Sequence, residues 1–156
     1  MAFVETGAPA PILVTGGWDG KIRFWDLRQQ QPVKEESLPA PILDMDCSTS
    51  PMATFLMPRG IALYNLTTMS PVGNLDPHPQ VEFQLRKVAN FKNQTCVATG
   101  TVDGRLSFSP TNGNAQLSQQ WRALSSEDPA TKAVDCFQCN MVCMAPSNVT
   151  VITGGS

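Results

Sequence analysis

The chain has 156 residues, a formal net charge of −2 and 15% charged residues, where an average globular protein has about a quarter. That balance leaves no electrostatic footprint for direct nucleic-acid binding. No apolar run approaches the ~18 residues of a membrane-spanning helix, and the N-terminus lacks the basic-then-apolar layout of a secretion signal.

Taken in order, the sequence reads as short strands separated by tight turns. Phe3-Val4 is a brief first strand. Ile12, Leu13, Val14 and Thr15 are β-formers. Asp19-Gly20 is a hairpin signal, because glycine tolerates a positive φ. Ile22 and Phe24 then alternate with Lys21, Arg23 and Trp25, the period of a strand, and Val33 to Leu38 forms an outer strand. The second unit takes Pro41 to Asp46, Met52 to Met57, the stretch Arg59 to Asn65 and a weak edge strand at Pro71 to Leu75. The third runs from Phe83 through Thr95–Gly100 and Asp103–Phe108 to a last strand near Trp121. Ser125 to Lys132 is polar and reads as a long surface loop. A fourth unit starts near Val134 and reaches Val149–Ser156, which repeats the approach Val14-Thr-Gly-Gly17.

The glycines taken as turn residues, Gly20, Gly60 and Gly104, are spaced by 40 and 44 residues. A repeat of that length with four strands per unit resembles the WD repeat, whose units are the blades of a β-propeller. The expected fold is therefore all-β, about three and a half blades of a seven-bladed ring. The units span residues 1–38, 41–76, 81–124 and 134–156, the last incomplete, and the sequence is expected to be a piece of a longer propeller. A β-sandwich and a four-bladed ring closed by a partner chain are the alternatives.

Enzyme signals are absent: there is no nucleophile elbow, no zinc-protease helix motif and no phosphate loop, so no catalysis and no cofactor are expected. Cys136, Cys139 and Cys143 suggest a metal set. The apolar reading fits better: Cys139, Val142, Met144 and Pro146 sit where a blade's first strand carries apolar residues and a closing proline, and the single histidine, His78, is far away. The acidic pairs Asp44/Asp46 and Glu35/Glu36 read as solvated strand and loop ends. The informative set is at the turns between second and third strands: Trp18 and Lys21, then Arg59, then Arg105. Equivalent turns lie on one face of a propeller, so an indole and three cations would share a surface suited to an acidic peptide. Ordinary solvated turn residues would give the same pattern.

Two stretches carry a more specific resemblance. Thr15-Gly-Gly-Trp-Asp-Gly-Lys-Ile-Arg-Phe-Trp-Asp-Leu-Arg28 and Ser50 to Asn65 resemble the WD-repeat mRNA export factors of the nuclear pore. Asp103-Gly-Arg-Leu106 resembles that family's Glu-Gly-Arg-Val, with Asp in place of Glu. Ser109-Pro110 replaces the aromatic end of that strand, and the Gly-His element of typical repeats is missing. The resemblance implies a non-enzymatic scaffold of the nucleus, nuclear envelope and cytoplasm. It implies docking on an acidic segment of a nucleoporin, with Arg105 receiving paired glutamates and any RNA held indirectly. Neither membrane insertion nor a small-molecule substrate is expected. The sister family of mitotic-checkpoint WD-repeat proteins, binding a checkpoint kinase, is the alternative, and a generic WD-repeat scaffold a third reading.

Overall fold

Gly20 and Gly104 sit at φ 75° and 76°, in the left-handed region that only glycine enters freely, and each turns the chain back on itself. A computed structural model describes residues 1–4, 11–49, 51–76, 82–112, 114, 118–147 and 149–155. His78 and Asn148 lie outside the described residues. Among those described, every helix or strand assigned is a strand, and every strand pairing is antiparallel.

Three sheets are four-stranded meanders. The first is β1 (Ala2–Val4), β2 (Ile12–Gly16), β3 (Lys21–Trp25) and β4 (Lys34–Ser37). The second is β5 (Asp44–Thr49), β6 (Met52–Met57), β7 (Gly60–Asn65) and β8 (Ser70–Leu75). The third is β9 (Leu85–Asn90), β10 (Cys96–Thr101), β11 (Arg105–Pro110) and β12 (Gln119–Arg122). A hairpin of β13 (Ser125–Glu127) and β14 (Val134–Cys136) follows, then the pair β15 (Cys139–Met144) and β16 (Val151–Gly155).

The sheets stack face to face, and their cores lie between them. Val14, Ile22 and Phe24 of the first sheet pack with Ala53, Phe55 and Tyr64 of the second. Leu56, Ile61 and Leu63, on the other face of the second sheet, pack with Leu85, Val88 and Val97 of the third. Ala89, Ala98 and Leu106 then meet Cys139 and Val142. The middle sheet is thus covered on both faces, which is why all six residues of β6 are buried and why all but Thr54 are apolar. The first strands contact one another in succession, β1 with β5, β5 with β9 and β9 with β15. Radial four-stranded sheets with their first strands innermost are the arrangement of a β-propeller.

Polar bonds tie neighbouring blades. Asp44 Oδ2 accepts the Val88 amide at 3.0 Å, and Asp46 Oδ2 accepts the Asn90 amide at 2.6 Å. The Asn90 side chain donates to the Asp46 carbonyl at 3.0 Å and accepts from the Thr54 hydroxyl. Asp44 and Asp46 are therefore not solvated strand ends; they hold the second blade to the third. Glu35 and Glu36 lie on the edge strand β4, where Glu35 is exposed as expected; Glu35 pairs there with Lys21 and Arg23, and Glu36 with Lys34.

Two further local expectations need correction. Ser125 to Lys132 is at the surface as expected, but it belongs to the β13–β14 hairpin, with Ser125–Glu127 as strand. Asp128 closes its turn, accepting from the Ala130 amide at 2.8 Å and the Thr131 hydroxyl at 2.7 Å. Gly60 is not a turn glycine. It pairs with Met57 as the first residue of β7, and the turn is Pro58-Arg59. Proline's fixed φ suits the first central position of such a turn. Gly60 therefore occupies the place held by Lys21 in β3 and Arg105 in β11.

Candidate functional site

In a four-stranded meander, the turn between second and third strands lies at the same end as the link to the next blade. Hydrogen bonds fix this face. The Leu38 amide donates to the Gly20 carbonyl at 2.8 Å, and the Ile42 amide to the Gly17 carbonyl at 3.1 Å. One blade on, Leu85 bonds Pro58 at 3.1 Å; in the third, Leu124 bonds Gly104 at 3.0 Å. A Cβ at Gly20 would lie 2.9 Å from the Leu38 carbonyl, and one at Gly104 only 2.4 Å from the carbonyls of Leu124 and Phe137. Glycine is needed at both for the link to close over the turn.

Trp18, Lys21, Arg59 and Arg105 all sit at these turns or at the strand starts that follow them. Trp18 is 81% exposed. It lines a groove of about 310 Å³ with Leu43, Gln84, Leu85, Arg86 and Lys87. Arg59 is exposed at the tip of the β6–β7 turn. Lys21 is engaged internally: its ammonium bonds Glu35, whose carboxyl is held below its ordinary range first by Lys21 and then by Arg23. Arg23 also bonds Asp19 at 2.6 Å and pulls that carboxyl down in the same way. Arg105 gives its Nε–H to Asp103 at 2.7 Å, while the Thr101 hydroxyl accepts the Arg105 amide at 3.0 Å. Arg59 forms no ion pair among the described residues.

Arg86 and Lys87 were missed from sequence. They are the second and third residues of β9 and line the same groove as the indole. Arg86 Nε donates to Asn140 Oδ1 at 3.0 Å, and Lys87 Nζ lies 3.4 Å from Asp44 Oδ1. The available signal was two adjacent cations at the start of an inner strand. The Trp-Asp pair itself is structural. Trp25 Nε1 donates to the Thr15 hydroxyl at 2.9 Å, and Asp26 accepts Arg28 Nη2 at 2.6 Å and the Arg28 amide at 3.0 Å. Those bonds pull the Asp26 carboxyl down to about 2. Cys139 is buried between blades, where desolvation raises its thiol. No group of three or more metal-ligating side chains occurs among the described residues.

No protein-family model matches the chain. Comparison with curated proteins does find relatives. The poly(A)+ RNA export protein of Schizosaccharomyces pombe is 31% identical over all 156 residues, which cover 44% of that protein. The chain is thus similar over nearly its whole length both to RNA export proteins and to a WD40 repeat protein. A WD40 repeat protein of Penicillium oxalicum, poxJ, is 23% identical over 155 residues, 99% of this chain and 45% of the relative. The mitotic checkpoint protein bub3 of Dictyostelium discoideum is 24% identical over 150 residues, 92% of this chain and 44% of the relative. The chain spans less than half the length of each of these relatives. Its three four-stranded sheets and the β15–β16 pair are three and a half blades of a WD-repeat propeller.

Proposed function

We propose that this chain is a non-enzymatic scaffold in nuclear mRNA export and that it docks on an acidic peptide segment of a nucleoporin through the face that carries Trp18, Lys21, Arg59 and Arg105. The supporting observation is that an exposed indole and cations from three successive blades are placed at equivalent turns at one end of the sheets. Similarity over the whole chain to an RNA export protein supports the process, and with it a place in the nucleus, at the nuclear envelope and in the cytoplasm.

Each group has a distinct part in the reading. The Trp18 indole supplies apolar contact area. Arg59 supplies a cation with no competing carboxylate among the described residues. Arg105 is oriented by Asp103 through one of its five N–H donors, which leaves the planar fork directed by the protein before a ligand arrives. Arg86 and Lys87 extend the basic strip toward the inner strands.

The test is Arg105→Ala in the full chain, with affinity for a fluorescent acidic peptide measured by anisotropy. Asp103 already competes for this guanidinium, so the expected loss is about tenfold, near 1.4 kcal/mol and below the full penalty of an isolated buried pair. Arg105→Lys should recover only part of it, because an ammonium lacks the fork. Unchanged affinity rejects Arg105 as a contact, and a much lower melting temperature makes it a structural residue. Checkpoint-kinase binding is the second reading, supported by the similarity to bub3. It predicts kinetochore staining and premature anaphase on depletion, where the export reading predicts a nuclear rim and retained polyadenylated RNA.

A further inference from the structure

The second blade breaks the pattern of its neighbours at one position. Where β3 begins with Lys21 and β11 with Arg105, β7 begins with Gly60. The missing side chain leaves a groove of about 320 Å³, lined by Pro39, Ala40, Met57, Pro58, Arg59 and Gly60. Four of these present apolar groups, Gly60 has no side chain, and the only charge is Arg59. It forms no ion pair among the described residues and is exposed at the groove's edge.

We propose that this groove receives an aliphatic side chain of the acidic peptide, with a neighbouring carboxylate of the same peptide on Arg59. The inference rests on the acidic-peptide reading of the face and adds to it a specificity element: the ligand is an acidic segment with an apolar anchor, not a polyanion. The apolar wall favours a desolvated hydrocarbon, and burying one leucine there adds affinity that charge alone does not give. Arg59, unlike Lys21 and Arg105, has no carboxylate to displace among the described residues. A carboxylate arriving beside the anchor therefore meets an uncompensated cation.

Gly60 also supplies the test. Its φ is outside the left-handed region, and a Cβ there would meet only the Met57 methyl, at 3.2 Å, the end of a flexible side chain. Substitution at 60 is thus expected to fill the groove while the fold is retained. Two synthetic peptides are compared by anisotropy on the full chain: one with a leucine flanked on both sides by paired glutamates, and its twin with serine for leucine. The parent should bind the leucine peptide about tenfold more tightly than the serine one. Gly60→Leu should bind both alike, at the level of the serine peptide, and Gly60→Ala should fall between. Arg59→Ala and Arg105→Ala should weaken both peptides. If the parent binds both equally while Arg105→Ala still weakens both, the groove assignment is overturned and the acidic-peptide reading stands. If neither peptide binds, both are overturned. Should Gly60→Leu not fold, the parent's preference between the two peptides still decides the question, because it needs no variant.

Discussion

Asp46→Ala is the sharpest probe of how the blades are joined. The Asp46 carboxylate accepts the Asn90 amide of the next blade at 2.6 Å and the Ser48 amide of its own strand at 2.8 Å. Ser48 is exposed, so water replaces that second bond. Asn90 is 1% exposed, so its amide would be left buried without an acceptor. An orphaned buried donor costs about 1–3 kcal/mol, toward the upper end when the lost partner was charged. We expect a loss of about 2–3 kcal/mol, which for a chain of this size lowers the melting temperature by roughly 4–12 °C. Asp46→Asn retains an acceptor oxygen and should recover about half. Thermal unfolding followed by circular dichroism measures both, and a double-mutant cycle with Asn90→Ala should return a coupling energy of at least about 0.5 kcal/mol. A shift under about 2 °C for Asp46→Ala, or additive effects with Asn90→Ala, would refute this account of the interface.

Two other expectations concern the turns. Gly104→Ala combines a positive φ with a Cβ only 2.4 Å from two carbonyl oxygens, so it should destabilise by at least about 2 kcal/mol. Gly73→Ala, with no atom within 4 Å of the new methyl, should change stability by less than about 0.5 kcal/mol; urea unfolding of both variants makes the comparison. Asp26 governs a pH dependence. Its carboxyl falls from an ordinary 3.8 to about 2 in the fold, so its stabilisation is complete above 3.8 and lost as pH falls through about 2. The stability gap between the parent and Asp26→Asn should therefore be constant above pH ~4 and close toward pH 2 in a denaturant series.

What the sequence disclosed follows from how local each determinant is. Asp19-Gly20 and Asp103-Gly104 were legible because a positive φ is a property of the glycine itself. The alternation of Ile22 and Phe24 with Lys21, Arg23 and Trp25 was legible because strand period depends only on neighbours. The β6–β7 turn was misplaced by one step, because Pro58-Arg59 makes a tight turn without glycine and Gly60 looked like its neighbours' turn residue. Asp44 and Asp46 were misread because their partners, Val88 and Asn90, are 44 residues away and meet them only when the blades stack. Lys21 looked free because Glu35 reaches it only through the β3–β4 pairing. Of the face itself, Trp18 and Arg59 are at exposed turns, whereas Arg86 and Lys87 needed the stacking of β9 beside Trp18 to be noticed.

The most direct measurement of the central proposal is a nuclear magnetic resonance titration of the full chain with the acidic leucine peptide. The indole resonance of Trp18 and the guanidinium resonances of Arg59 and Arg105 report on the face. The amides of Leu66 and Val33, in the β7–β8 and β3–β4 connections, report on the opposite end of the sheets. We expect saturable shifts at Trp18, Arg59 and Arg105 with the opposite-end amides unmoved. Shifts confined to the β7–β8 and β3–β4 connections, or uniform small drifts across all sites, would contradict it.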